Sequence, residues 1–69
     1  MTSSSPAPGD LPASIGAPAT RALHGEGIET LDELARRTKR EVAALHGVGP
    51  KAVRILEEAL AERGLDFTG

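Results

Sequence analysis

The stretch Leu45-His46-Gly47-Val48-Gly49-Pro50-Lys51 constrains the fold of this chain more than any other. Two glycines bracket one apolar residue, the pattern of a tight turn that needs positive φ or close backbone approach at both glycines while Val48 plugs a core. Pro50 suits the first position of a helix, where a missing N–H is no loss and φ is already set. Beyond it Ala52, Val53, Ile55, Leu56, Ala59 and Leu60 recur at three- and four-residue spacing. They predict an amphipathic helix from about Pro50 to Arg63, stopped by Gly64.

A turn that opens directly into a helix presents the free N–H groups of the first helical turn at the positive end of the helix dipole, so an anion can bind there without any side chain. Lys51 and Arg54 occupy the first turns of this helix and Glu57, Glu58 and Glu62 its later half. That order is the reverse of the one the dipole favours. Two explanations stay open: a functional demand for an anion at the helix start, or local pairing of Arg54 with Glu57 or Glu58.

The rest of the chain reads as short helices. Residues Met1 to Gly9 are, after Met1 and Thr2, only Ser, Pro, Ala and Gly without charge, too poor in apolar surface to offset the entropy of ordering, and are expected to form a disordered tail. The folded domain is expected over 10–69. Pro12 allows at most a short helical turn, and Ile15-Gly16-Ala17-Pro18 introduces a helix of about Ala17 to His24 with Ala19, Ala22 and Leu23 inward, ended by Gly25 and Gly27. Thr30-Leu31-Asp32-Glu33 and Thr38-Lys39-Arg40-Glu41 are two capping boxes, opening helices through about Arg36 and Leu45. The predicted class is all-α, a compact bundle of about four to five short helices.

An internal repeat organises these elements. Ile15-Gly16-x-x-Ala19-x-Arg21-x-Leu23 matches Val48-Gly49-x-x-Ala52-x-Arg54-x-Leu56 at a constant offset of 33 residues, and the endings Gly27-Ile28 and Gly64-Leu65 repeat at 37. Two hairpin units related by a pseudo-twofold would match the two strands of a duplex. The first copy departs from the second at Ser14, in place of Gly47, and at Pro18, in place of Lys51.

Composition bounds the function. The chain has 69 residues, no cysteine and a net charge of −2, so neither a disulfide nor a thiolate metal site can support it. An acidic balance argues against a non-specific nucleic-acid binder, most of which are basic. The charges are unevenly placed, however: Arg36, Arg37, Lys39 and Arg40 form a basic block just before the turn, apart from the acidic clusters. Phe67 is the one aromatic residue, which offers no stacking platform for unpaired bases. His24 and His46 have no metal-ligand spacing, and no acid/base pair or nucleophile is arranged for catalysis. Neither a membrane span nor a signal peptide is evident, so a cytoplasmic protein without cofactor, metal or small-molecule substrate is expected.

Leu45 to Leu56 resembles the helix-hairpin-helix signature of non-sequence-specific DNA-binding domains. With Gly27-Ile28-x-Thr30-Leu31-x-x-Leu34 and Leu60-Ala61-x-Arg63-Gly64-Leu65 in register, the chain from Leu11 to Phe67 resembles the C-terminal domain of the bacterial RNA polymerase α subunit. The resemblance implies a SAM-like bundle with two pseudo-repeated helix-hairpin-helix units. It also implies contacts to the DNA minor groove and backbone, and to transcription factors and σ. Carried over by position, it implies Gly49 and Lys51 as backbone and phosphate contacts, and Ala52 where the family often has serine. Pro18 stands in the place of the family's principal minor-groove arginine and Arg21 in that of a nearby asparagine, so Arg21 is the candidate substitute. The polymerase-assembly domain has no counterpart, and the chain is not expected to be an α subunit itself.

The expected function is a grip on duplex DNA backbone, largely without sequence specificity, through Gly47, Val48, Gly49, Lys51, Ala52 and Arg54, with Arg21 and Gly16 from the first copy. The alternative is a protein-interaction module that contacts RNA polymerase or a transcription regulator through its acidic faces.

Overall fold

The computed structural model describes residues 10–69, and the expected tail lies outside them. Among the described residues the chain forms a 3-10 turn, Ala13–Ile15, and four helices: α1 (Ala17–Gly25), α2 (Leu31–Leu34), α3 (Lys39–Ala43) and α4 (Pro50–Glu62). No strand forms among them; Thr38 and Thr68 meet in a single isolated bridge, with the Thr68 N–H donating to the Arg37 carbonyl at 3.0 Å. The all-α class and the number of helices agree with the sequence.

Helices α2 and α3 begin where their capping chemistry places them. Thr30 and Thr38 accept the N–H groups of Glu33 and Glu41 at 3.1 and 3.0 Å, and the two glutamates reach back to the N–H groups of Thr30 and Thr38. Both capping boxes are therefore complete. Helices α2 and α3 stop one or two residues before the expected ends. The chain tightens there into i→i−3 bonds, from Arg36 to Glu33, Arg37 to Leu34 and Leu45 to Val42. Helices α1 and α4 end alike: the Ile28 and Leu65 N–H groups donate to the Leu23 and Leu60 carbonyls at 2.9 and 2.8 Å, while Gly27 and Gly64 donate to His24 and Ala61. This is a Schellman ending in both, and it satisfies carbonyls that the helix cannot.

The inward faces meet in one aliphatic core of Ile15, Ala19, Leu23, Ile28, Leu31, Leu34, Val42, Val48, Ala52, Val53, Leu56 and Leu60. No polar or charged side chain is buried among the described residues. The 3-10 turn packs on both α1 and α4, and α3 packs on α4, so the two ends of the folded segment close around the longest helix. Asp10 fixes this closure: one carboxylate oxygen accepts the Leu31 N–H at 2.7 Å and the other accepts Arg63 at 2.7 Å. The first orphan donor of α2 is thereby satisfied from 21 residues away.

Candidate functional site

The turn between α3 and α4 is built from Ala44 to Gly49. Its two glycines do different work. Gly47 has φ +95, and a Cβ there would lie 3.0 Å from the Pro18 carbonyl oxygen and 3.3 Å from its carbon. The residue thus meets both expected demands, a left-handed backbone and close approach. Gly49 meets neither: it is extended, with φ −90 and ψ 176, and a Cβ on it would point into open space. The expectation that both glycines need positive φ or close approach is corrected on this point. Through Gly47 the turn sits against the first turn of α1, so the N-termini of α1 and α4 are neighbours. Gly16, the N-cap of α1, has φ +90 where its repeat partner Gly49 has φ −90, so the two copies enter their helices differently.

The side chains divide into plugs and exposed cations. Val48 and Ala52 are 6% and 7% exposed, which makes Val48 the expected core plug and turns the Ala52 methyl inward. The expectation of Ala52 as a contact therefore reduces to its N–H group. The Val48 N–H is also committed, donating to the Leu45 carbonyl at 3.1 Å, and so is that of Gly16, donating to Ala13 at 3.0 Å. As donors to an outside anion, Val48 and Gly16 are corrected. In their place the N–H groups of His46, Gly47, Gly49, Lys51 and Ala52 have no acceptor among the described residues. Pro50 interrupts this run without leaving a donor to satisfy.

Lys51, Arg54 and Arg21 are exposed. The local pairing of Arg54 with Glu57 or Glu58 does not form. Glu57 pairs instead with Lys39 of α3, at 2.9 Å. Arg37 pairs with Glu26 at 3.7 Å and also donates to the Glu26 carbonyl, and Arg63 pairs with Asp10. Arg21, Arg36, Arg40, Lys51 and Arg54 therefore keep no carboxylate partner among the described residues. The basic block preceding the turn is split, with Arg37 and Lys39 engaged and Arg36 and Arg40 free.

Beside the turn an open groove of about 340 Å3 runs between α3 and α4, lined by Lys39, Ala43, Pro50, Val53, Arg54 and Glu57. Sequence reasoning did not find it. The Lys39–Glu57 pair that crosses its far end joins residues 18 positions apart, and only packing of α3 on α4 brings them together. His24 and His46 are exposed, and among the described residues no three His, Asp or Glu side chains group to hold a metal. No helix there is long and apolar enough to cross a membrane.

Chemically the site offers a cluster of N–H donors without acceptors at a helix N-terminus, flanked by exposed, unpaired cations, and no polar or charged side chain is buried among the described residues. The chain matches no protein-family model, no curated protein and no solved structure.

Proposed function

We propose that this protein is a DNA-binding module that grips the phosphate backbone of duplex DNA at the start of α4. The observation that carries it is the set of N–H groups of His46, Gly47, Gly49, Lys51 and Ala52 without an acceptor among the described residues, with the Lys51 and Arg54 side chains unpaired beside it. Backbone donors and the helix dipole favour a phosphate oxygen, and the two cations supply the long-range attraction. Arg21 extends the surface along α1, whose first turn lies against Gly47. In this reading α1 and α4 head two related helix-hairpin-helix units, the arrangement that the RNA polymerase α C-terminal domain resemblance implies, with the first unit worn at Pro18.

Recognition rests on backbone, not on base edges, since the donors gathered at the turn are main-chain N–H groups at a helix N-terminus, which suit phosphate oxygens. Affinity is then weak, at or beyond the ~10⁻⁴–10⁻⁶ M range of non-specific binding, and nearly independent of sequence. Two to four phosphate contacts give a slope of log K against log salt of roughly −2 to −4. Fluorescence anisotropy on A·T-rich and G·C-rich duplexes at three salt concentrations measures both. Lys51→Glu with Arg54→Glu is expected to abolish binding, because it replaces two phosphate-neutralising cations by anions. Its circular dichroism stays helical, because acidic residues suit an N-terminus. Binding of the double variant at wild-type strength would remove α4 from the interface.

A protein-interaction role is favoured by one observation, the exposed acidic face of Glu29, Asp32 and Glu33 on and before α2, in a chain of net charge −2. Absence of DNA binding even at low salt would select it.

A further inference from the structure

We propose that the groove between α3 and α4 is a second contact surface for duplex DNA phosphate, and that Glu57 limits its strength by holding Lys39 in an ion pair. The inference rests on the backbone grip at the α4 N-terminus and extends it past Arg54, which the two share, to Lys39 and Glu57, which that grip does not use. Pro50, Val53, Arg54 and Glu57 share one side of α4, and Lys39 and Ala43 face them from α3. The groove thus starts at the turn, where the free N–H groups lie, and ends at Lys39, with the unpaired Arg54 between.

Distance along the helix makes the far end a separate contact. From Lys51 to Glu57 the rise is about 9 Å, more than the axial step of about 3.4 Å from one phosphate of a strand to the next. Lys39, held 2.9 Å from the Glu57 carboxylate, stands at that far end, so a phosphate reaching it is not one already held at the turn. Arg40, exposed and unpaired, follows it on α3. The charge pattern of the groove therefore suits a continuing polyanion, except for one residue. Glu57 neutralises Lys39 and places a carboxylate three residues from Arg54, adjacent on the helix surface. A phosphate entering here must displace Glu57 from Lys39 and then lie close to the freed carboxylate. Glu57 accordingly weakens binding along the groove, by neutralising Lys39 and by standing beside Arg54, and leaves the N–H donors of the turn untouched.

Glu57→Gln tests this on the full chain. The pair it removes is exposed, with side chains 57% and 41% accessible, and such pairs contribute little to folding; circular dichroism checks that the helices persist. The probe is a labelled mixed-sequence duplex titrated by anisotropy at three salt concentrations. Freeing Lys39 adds one phosphate contact, so the salt slope should steepen by about 0.9 and affinity rise on the order of tenfold at low salt. Glu58→Gln makes the same change of net charge outside the groove and should leave the slope as it was. Glu57→Gln combined with Lys39→Ala should return binding to the wild-type level.

An unchanged slope in Glu57→Gln overturns the inference, and so does an equal gain in Glu58→Gln or a gain that survives Lys39→Ala. If the wild type binds and Lys51→Glu with Arg54→Glu abolishes binding, such a result removes the groove alone. If the wild type and Glu57→Gln both fail to bind at every salt concentration, the backbone grip falls and the groove with it.

Discussion

Replacing Gly47 with alanine strains the fold at the point where the turn meets α1. A non-glycine residue at φ +95 costs about 1–2 kcal/mol relative to the right-handed regions. The new methyl would also stand 3.0 Å from the Pro18 carbonyl oxygen, and that oxygen is backbone, so relief requires α1 and the turn to part. Overpacking of this kind adds about 1–3 kcal/mol, while the stiffer unfolded chain returns about 0.4–1 kcal/mol. The net loss is roughly 2–4 kcal/mol. A folded segment of this length holds about 3–9 kcal/mol in total, and each 1 kcal/mol moves its Tm by roughly 4–8 °C. Gly47→Ala should therefore melt about 10–25 °C below the wild type. The assay is far-ultraviolet circular dichroism, thermal and in urea, with Gly49→Ala as internal comparator. Gly49 is extended and open, so its alanine variant should stay within about 1 kcal/mol of the wild type. A Gly47→Ala variant as stable as Gly49→Ala would refute the assignment of strain and close approach to Gly47.

Gly49→Ser should move stability and binding in opposite directions. Serine at this N-cap can accept the Lys51 or Ala52 N–H, adding about 0.5–1 kcal/mol, and it takes a donor from the proposed phosphate grip; unchanged affinity in a stabilised variant would count against that grip. Asp10→Ala should lower stability by about 1–2 kcal/mol, because it leaves the Leu31 N–H without its acceptor, whereas Arg63→Ala, losing only the exposed end of the same contact, should cost under about 1 kcal/mol. Equal losses in urea titrations of the two variants would mean that the backbone bond is not what matters.

Local signals were legible in the sequence and long-range ones were not. Thr30 with Glu33, Thr38 with Glu41, and the glycines after α1 and α4 mark helix ends through bonds that span at most five residues. Residue types alone suffice to read such features. The difference between Gly47 and Gly49 was hidden, because a glycine records permission for positive φ and not its use; the neighbour that decides it, Pro18, is distant in sequence. The inward turn of Ala52 is consistent with the three- and four-residue apolar spacing, yet a family position pointed to it as a contact. The partners of Lys39 and Asp10 depend on how α3 packs on α4 and how the start of the folded segment meets Arg63. No periodicity encodes them. Of the two explanations open for the charges of α4, the pairing of Arg54 with Glu57 or Glu58 does not form, and Glu57 is taken by Lys39 of another helix.

The Asp10 contact also bears on the order in which the chain folds. Its bond to Arg63 closes a loop of 53 residues, and bringing such ends together costs about 3.5 kcal/mol of chain entropy before any constant is added. An exposed ion pair yields under about 1 kcal/mol and cannot drive that closure. The turns at Gly47 and the Schellman endings, which join residues close in sequence, face no such barrier, so the aliphatic core assembles around them and delivers Asp10 to Arg63 afterwards. The clasp is therefore expected to act on the reverse step: Arg63→Ala should speed unfolding and leave the folding rate as it was in stopped-flow kinetics, and a slowed folding rate would refute this order.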